Sequence, residues 1–261
     1  MENNLKQFER LLTIMDDLRE KCPWDKKQTL ESLRHLTIEE TYELCDAIIE
    51  NDLDELKGEI GDLLLHMVFY SKIASEKKAF DIGDVLEFVC DKLVHRHPHV
   101  YGDVIADTEE AVKSNWEKIK LEEKQDSNGF KSVLKGVPKS MPSLVKAIRI
   151  QDKVQGVGFD WDNKDQVWEK VKEELDEFKV ESDKHDQTKM EEEFGDLMFS
   201  MVNYARFIGV NPEDALERTN KKFIKRFTEM EESIHSEGQN LQSMNLKQMD
   251  VYWERAKKKK G

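Results

Sequence analysis

The chain has few of the residues that shape disulfide-rich, β-rich or membrane-spanning proteins. Its 261 residues include only 3 cysteines, 5 prolines and 12 glycines. An odd number of cysteines without close pairing predicts reduced thiols in a cytoplasmic protein, and excludes a disulfide framework. No stretch is apolar for long enough to cross a bilayer, so the sequence does not predict a membrane protein.

Positive charge is also in short supply. The chain has 41 Lys and Arg against 55 Asp and Glu, which gives a net charge of -14 at pH 7. This excess of negative charge argues against partners such as nucleic acid or anionic lipid surfaces. A small anionic substrate remains possible where metal ions or local lysines offset the negative field.

What the sequence has in quantity is amphipathic helix. Apolar residues recur three and four positions apart through most of the chain, and no alternating β pattern of useful length is present. We therefore predict an all-α protein. The predicted helices cover residues 5–20, 31–50, 53–77, 82–96, 108–124, 142–153, 163–183, 188–209, 212–235 and 245–258.

Two segments, 39–65 and 173–199, repeat each other with a shift of 134 residues. The five acids shared by both are Glu39, Glu40, Glu43, Glu59 and Asp62 in the first copy, and Glu173, Glu174, Glu177, Glu193 and Asp196 in the second. So long a period indicates duplication of a whole domain and not a solenoid. We predict two tandem helical-bundle domains, 1–126 and 144–261, joined by a linker at 127–143 that is rich in Gly, Pro and Ser.

The spacing of the acids in the second copy is suited to a metal site. Glu174 with Glu177, and Glu193 with Asp196, each place two carboxylates on one helix face. The second helix also carries an apolar stripe predicted to face the core, and Glu193 and Asp196 both lie just beside it. Four carboxylates where two helices meet would resist ionisation unless a cation were present. Oxygen-only ligands favour Mg²⁺ or Mn²⁺ over zinc.

A simpler interpretation competes with the metal site. Charge runs on helices are usually solvated faces, and common descent alone would repeat the same acids in both copies. The corresponding alternative function is a non-catalytic helical module whose acidic faces bind a protein partner. Cationic residues opposite the carboxylates would favour an enzyme over such a module.

The motif Glu-Glu-x-x-Glu followed by Glu-x-x-Asp, on two successive helices and twice in one chain, resembles the MazG family. The phrases "CPWDK", "RHPHVYGD", "VGFDW" and "NKKFIKRF" extend the resemblance over nearly the whole chain. The resemblance implies an all-α nucleoside triphosphate pyrophosphohydrolase that needs Mg²⁺ and releases a nucleoside monophosphate and pyrophosphate. It also implies a homodimer, with an active C-terminal domain beside a largely structural N-terminal one.

The resemblance implies a set of site residues in the second copy. The implied metal ligands are Glu174, Glu177, Glu193 and Asp196. The implied nucleotide contacts, besides Asp196, are Lys170, Val171, Lys172, Glu173, Glu174, Lys189, Met190, Glu191, Glu192, Lys222, Phe223, Ile224, Lys225, Arg226 and Trp253. Glu173 or Glu192 is expected to orient or deprotonate the attacking water, and Arg226 to stabilise charge on the departing pyrophosphate.

Local positive charge distinguishes the two copies. The lysines of the second copy at 170, 172 and 189 correspond to Leu36, Ile38 and Glu55 of the first. A tetra-anionic substrate should therefore prefer the second copy, and the N-terminal domain is expected to be structural or weakly active.

No residue set selects one base, so we expect broad base specificity, with a narrower enzyme for dUTP or damaged dNTPs as the alternative. Trp253 is expected either to stack on the base or to fill the core.

Overall fold

A computed structural model describes residues 1–123 and 132–258, and throughout these residues the secondary structure is helical without strands. The predicted all-α class is confirmed. The helices are α1 (Glu2–Lys21), α2 (Leu30–Glu50), α3 (Leu53–Glu76), α4 (Ile82–Arg96), α5 (Pro98–Tyr101), α6 (Glu109–Glu122), α7 (Ser143–Gln155), α8 (Lys164–Lys184), α9 (Gln187–Phe207), α10 (Pro212–Ser236) and α11 (Leu246–Lys258). Short 3₁₀ turns lie at Asp25–Lys27 and Leu241–Ser243.

Ten of these helices match the ten predicted ones, with ends within three residues. The sequence pattern missed the short α5 and both 3₁₀ turns, because single turns are too short to show a period. In the described part of the chain, none of the helices combines the length and the low charge needed to cross a bilayer.

Contacts between residues divide the chain into two units, Met1–Trp116 and Glu117–Gly261, here called the N-terminal and C-terminal units. The division falls within α6, earlier than the predicted domain boundary after residue 126. The start of the predicted linker, 127–131, lies outside the described residues, as does the end of the predicted second domain, 259–261.

The same helical hairpin occurs once in each unit. Helices α2 and α8 both have 21 residues, and each is followed by a two-residue turn. The first turn residue, Asn51 or His185, has a left-handed backbone with φ of 57° or 58°. The second, Asp52 or Asp186, caps the next helix by accepting hydrogen bonds from backbone N–H groups in its first turn. The predicted duplication is therefore visible in the backbone.

The N-terminal unit packs α1, α2 and α3 around an apolar core. The fully buried members of this core are Met15, Leu33, Val68, Phe69 and Ile73. At its edge Arg19 donates hydrogen bonds of 2.9 and 2.6 Å to the two carboxylate oxygens of Glu76, and also bonds the carbonyls of Asp25 and Gln28. The guanidinium therefore fastens α1 and the following turn to the end of α3.

The C-terminal unit is built on the α8–α9 hairpin, with α7 and α10 against α9 and α11 against α10. Val167, Val171 and Val202 are buried in the hairpin, while Met230, Ile234 and Tyr252 form the core between α10 and α11. Arg206 near the end of α9 pairs with Asp160, one bond measuring 2.9 Å, and so fixes the segment that carries the "VGFDW" phrase.

Candidate metal centre

Three carboxylates converge between α8 and α9. Glu174, Glu177 and Glu193 each place one carboxylate oxygen within 4.8 Å of the others. Glu174 is only 6% exposed, Glu193 is half-buried and Glu177 is exposed. Because Glu174 and Glu177 lie one turn apart on α8 and face Glu193 on α9, the hairpin itself assembles the group. These are three of the four predicted metal ligands.

The electrostatics of this cluster suit a cation. Desolvation of the Glu177 carboxylate beside the other acids raises its pKa above the ordinary value, although the residue as a whole is exposed, and the charges of Glu174 and Glu193 raise it further. Such a shift means that the carboxylates resist being ionised together in the absence of positive charge. A divalent ion with oxygen ligands would remove that repulsion, so the residues present fit Mg²⁺ or Mn²⁺.

Lys170 supplies one positive charge from within the protein. Its Nζ lies 2.8 Å from Glu173 Oε1 and 2.6 Å from Glu174 Oε1. The hydrogen bonds to Glu173 and Glu174 raise the pKa of Lys170 well above its ordinary value, so this side chain stays charged. Lys170 is therefore an internal counter-ion of the buried Glu174, and its predicted contact with a nucleotide stays a prediction.

Asp196, the fourth predicted ligand, lies one turn after Glu193 and is exposed. It is not among the described carboxylates that approach one another within 4.8 Å. Its roles in binding metal and nucleotide stay predictions.

Other predicted residues on α8 have varied surroundings. Val171 is 4% exposed and packed in the core, so its predicted contact with a nucleotide stays a prediction. Lys172 is exposed and pairs with Glu169 at 2.6 Å, and Glu173 is the exposed partner of Lys170. The role of Glu173 in positioning water also stays a prediction.

The predicted contacts from Lys189, Met190, Glu191 and Glu192 lie in the first two turns of α9. The backbone N–H of Lys189 donates a hydrogen bond to the capping Asp186, and the side chain of Lys189 is exposed. Glu191 accepts a hydrogen bond of 3.0 Å from Gln187, Met190 is half-buried and Glu192 is exposed. These four residues therefore lie on the same helix as Glu193, in the turns at and just before it.

The predicted contacts on α10 lie beside α11. The Phe223 ring is 5.1 Å from Trp253 and stacks on Phe227 at 6.1 Å. The pKa of Glu254 is lowered chiefly by its hydrogen bond with Lys257, and the nearby charge of Arg226 lowers it further. Lys222, Ile224 and Lys225 are exposed.

Trp253 itself packs half-buried against the core of α10 and α11. This packing agrees with the core-filling alternative, and stacking on a base stays a prediction. The ring contact between Phe223 and Trp253, and the approach of Arg226 to Glu254, join α10 to α11.

The N-terminal unit repeats the cluster without the lysine. Glu40, Glu43 and Glu59 also place carboxylate oxygens within 4.8 Å of one another. Burial raises the pKa of Glu40, and the charges of Asp62 and Glu43 add to that effect. Leu36 occupies the position that corresponds to Lys170 in the second copy, as the shift of 134 residues between the copies predicts.

Sequence reasoning missed Gln151, which holds α7 against the hairpin. This side chain is 3% exposed, and its Nε2 donates a 2.8 Å hydrogen bond to the carbonyl of Phe199 on α9. A polar residue on an amphipathic helix gives no sign of such a bond, because the carbonyl partner is chosen by packing. The pairing of Lys170 with Glu174 was also missed, although their spacing of four residues is a recognisable signal.

Comparison with known proteins agrees with the duplicated motif. The model of the MazG nucleotide pyrophosphohydrolase domain matches residues 28–101 and 163–230. The nucleoside triphosphate pyrophosphohydrolase of Escherichia coli (strain K12) is 43% identical over 259 residues, which cover 97% of this chain and 98% of that protein. The nucleoside triphosphate pyrophosphohydrolase/pyrophosphatase MazG of Thermotoga maritima is 45% identical over 252 residues, covering 96% and 95%. A crystal structure of a mazG-related protein from Thermotoga maritima aligns with 43% of this chain and 98% of its own, at 32% identity and a TM-score of 0.39. The chain belongs to the MazG nucleotide pyrophosphohydrolase family.

Proposed function

We propose that the C-terminal unit hydrolyses nucleoside triphosphates, both NTP and dNTP, to the monophosphate and pyrophosphate with the help of Mg²⁺. The observation that carries the proposal is the convergence of Glu174, Glu177 and Glu193 beside Lys170. Full-length relatives named for this activity support the reaction class.

The proposed chemistry divides the work among carboxylates and cations. Glu174, Glu177 and Glu193, together with Asp196, would hold Mg²⁺, and the ion would supply positive charge for the triphosphate and lower the pKa of nearby water. Glu173 or Glu192 would orient or deprotonate that water. Arg226, with the exposed lysines of the unit, would stabilise the charge of the departing pyrophosphate.

Product analysis tests the reaction class. The full chain is incubated with a panel of NTPs and dNTPs, with Mg²⁺, with Mn²⁺ and with EDTA, and the products are separated by chromatography. We expect monophosphate and pyrophosphate only when metal is present. Release of orthophosphate and a diphosphate would contradict the proposal, and no turnover at all would favour the protein-binding module.

The same panel tests specificity. Because no residue set in the described site selects one base, we propose broad base specificity. Turnover of all canonical bases within about tenfold would support this, since tenfold corresponds to about 1.4 kcal/mol of discrimination. Turnover confined to dUTP or to damaged dNTPs would establish the narrower alternative.

Matched substitutions in the two units test which copy is active. Glu174→Ala and Asp196→Ala should each lower turnover by about 100-fold or more, because both remove a proposed metal ligand. Glu40→Ala, at the equivalent position of the N-terminal unit, should leave most of the activity. Steady-state kinetics on folded variants, checked by circular dichroism, measure the difference. Equal losses from Glu174→Ala and Glu40→Ala would contradict the assignment.

We also propose that the protein is a homodimer. On α9, Phe194, Met198 and Met201 follow one helix face and remain 49%, 42% and 43% exposed. An apolar face of this kind suits coverage by a second copy. Light scattering coupled to size-exclusion chromatography should give about 61 kDa, twice the 30.7 kDa chain mass. A monomer mass would contradict the proposal.

The place of action is proposed to be the cytoplasm. Cys22, Cys45 and Cys90 are all free thiols, and two of them are exposed. Exposed unpaired thiols are typical of a reducing compartment, which is also where triphosphate substrates are found. Fractionation of cells that express the protein, followed by immunoblotting, tests this placement.

A further inference from the structure

Lys170 lies against the most buried carboxylate of the candidate metal centre. Its Nζ is 2.6 Å from Glu174 Oε1 and 2.8 Å from Glu173 Oε1. The side chain of Glu174 is only 8% exposed, whereas that of Glu173 is 57% exposed. Glu174 also belongs to the cluster with Glu177 and Glu193. The protein therefore places a cation of its own on a buried acid that is proposed to bind metal.

A metal ion and this ammonium group compete for Glu174. Two positive charges bound to one carboxylate repel each other, and the repulsion is strongest where burial excludes water. The ion pair with Lys170 also compensates Glu174 for its lost hydration, so a cation that takes the carboxylate must replace that contact. A free metal ion therefore meets a cluster whose most buried acid is already neutralised.

The geometry allows the lysine to leave Glu174 while α8 stays folded. Lys170, Glu173 and Glu174 lie on the same helix, so both ion pairs are local. The Lys170 side chain is 35% exposed, and its flexible carbon stem lets the ammonium group turn toward solvent. Once a cation takes Glu174, the remaining partner is Glu173, whose exposure weakens the ion pair. The ammonium group of Lys170 is then available to a phosphate oxygen.

We infer that Lys170 couples the binding of metal to the binding of triphosphate. Without either ligand the lysine closes the cluster to a free divalent cation, and with both present it moves from Glu174 to a phosphate oxygen. The inference rests on the proposed function and adds to it that the site takes up metal and triphosphate together. Because linkage is reciprocal, each ligand should strengthen the binding of the other by the same factor.

Binding of free Mn²⁺ to the full chain provides the first test. Without nucleotide, bound Mn²⁺ is followed by electron paramagnetic resonance for the unsubstituted chain, Lys170→Met and Glu193→Gln. The acids of the N-terminal unit are the same in all three proteins, so Mn²⁺ that is lost in Glu193→Gln is assigned to the C-terminal cluster. We expect Lys170→Met to bind this Mn²⁺ about tenfold more tightly, because the competing charge is gone.

Lys179→Met is the matched control for the loss of one positive charge. Lys179 lies on the same helix and pairs with Asp176 at 3.3 Å, and both side chains are more than half exposed. Its removal should change the affinity for Mn²⁺ by less than about twofold, because an exposed ion pair is screened by water. If Lys170→Met does not fold, Lys170→Gln removes the same charge, keeps a polar side chain and should show the same gain.

A triphosphate that resists the proposed reaction provides the second test. The probe is an α,β-methylene analogue, in which carbon replaces the bridging oxygen at the proposed cleavage point. With Mn²⁺ present, Lys170→Met should weaken binding of the analogue by about tenfold, because a charge-assisted contact to phosphate is lost. In EDTA the loss should be less than about threefold, since the lysine of the unsubstituted chain then stays on Glu174. Equilibrium dialysis measures both affinities.

Equal Mn²⁺ affinities of Lys170→Met and the unsubstituted chain would overturn the inference, because the lysine would then not compete with a cation. Equal weakening of the analogue in Mn²⁺ and in EDTA would also overturn it, since the lysine would then reach the phosphate without leaving Glu174. If the unsubstituted chain hydrolysed no triphosphate, the proposed function would fail, while the Mn²⁺ comparison would still decide whether Lys170 closes the cluster.

Discussion

Lys170 makes the C-terminal carboxylate cluster compatible with a folded protein before any metal binds. Its Nζ lies 2.6 Å from Glu174 Oε1, and Glu174 is otherwise buried. A buried carboxylate left without a partner is strongly unfavourable. The lysine therefore stabilises the folded protein without a metal, and a cation bound at this cluster would have to share Glu174 with the lysine or displace it.

Lys170→Met tests this role at the residue scale. In EDTA the free energy of unfolding should fall by about 1–2 kcal/mol, because Glu174 loses its hydrogen bond while partial exposure of the lysine limits the loss. In Mg²⁺ the deficit should shrink, since the ion replaces the missing charge. Urea unfolding in both buffers measures the two values.

The matched control is Lys172→Met. Lys172 also bonds a carboxylate three residues away, but its partner Glu169 is exposed. Its removal should change stability by less than about 0.5 kcal/mol in either buffer. Equal effects of the two substitutions would show that burial of Glu174 has no special importance.

At the scale of elements, the cap of α9 positions Glu193, the part of the candidate metal centre that α9 supplies. Asp186 accepts a hydrogen bond of 3.2 Å from the backbone N–H of Lys189, so the helix begins at a fixed residue. Glu193 follows in the second turn and meets α8 only in this register.

Asp186→Ala should lower the free energy of unfolding by about 1 kcal/mol, because a helix N-terminal donor loses its acceptor. It should also weaken metal binding, since the start of α9 frays toward Glu193. Asp186→Asn keeps an acceptor and should lose at most a few tenths of a kcal/mol. Urea unfolding and Mn²⁺ titration provide the two measurements, and equal behaviour of the Ala and Asn variants would contradict the capping role.

The link between α10 and α11 should give stability that depends on pH. Tyr252 donates a 2.6 Å hydrogen bond to Glu237, which lowers the pKa of Glu237 and raises that of Tyr252. The depressed Glu237 contributes stability above its unfolded pKa of about 4.3, and this is lost as pH falls through the lower folded value. The raised Tyr252 contributes below about 10, and this is lost as pH rises through the higher folded value.

Tyr252→Phe should therefore destabilise the protein at pH 7. The loss of stability that it causes should become smaller toward strong acid and toward strong alkali. Thermal unfolding across the pH range measures the difference from the unsubstituted protein. Tyr204→Phe, whose ring packs 4.8 Å from Trp168 and takes no part in the link to Glu237, is the control for removal of a tyrosine hydroxyl. A difference for Tyr252→Phe that is constant from pH 3 to pH 11 would contradict the prediction.

Sequence periodicity was sufficient for the helices and for the convergence of Glu174, Glu177 and Glu193, since both follow from local spacing. Periodicity did not predict features that depend on packing between residues far apart in the sequence. The stripe of α9 that was predicted to face the core leaves Phe194, Met198 and Met201 more than two-fifths exposed. A helix pattern shows that a face is apolar, but it does not reveal what covers that face. The bond from Gln151 to Phe199 was hidden for the same reason.

At the scale of the whole molecule, the net charge of -14 opposes the approach of a triphosphate. The lysines near α8 and α9 act only over a short range, whereas the total charge acts as far as salt allows. The screening length falls from about 30 Å at 0.01 M to about 8 Å at 0.15 M ionic strength. Salt should therefore remove the long-range repulsion and leave the close contacts of the site largely intact.

We expect kcat/KM for nucleoside triphosphates to rise as KCl is increased toward about 0.15 M at constant free Mg²⁺. Replacing KCl with sucrose at matched osmolality should have no such effect, because sucrose carries no charge. Stopped-flow or steady-state assays at low substrate concentration measure this ratio. A steady decline with salt would show that the local lysines dominate the approach of the substrate.

The two-residue turns at Asn51–Asp52 and His185–Asp186 have a consequence for how this chain can change over evolution. An inserted residue that shifted the start of the following helix by one position would rotate the side chains of that helix by about 100° relative to the preceding helix. Glu59 or Glu193 would then point away from its partners, although the helices themselves would still form. Surface loops usually tolerate changes of length, but these two turns set an angular register and should resist insertions and deletions even where substitutions accumulate.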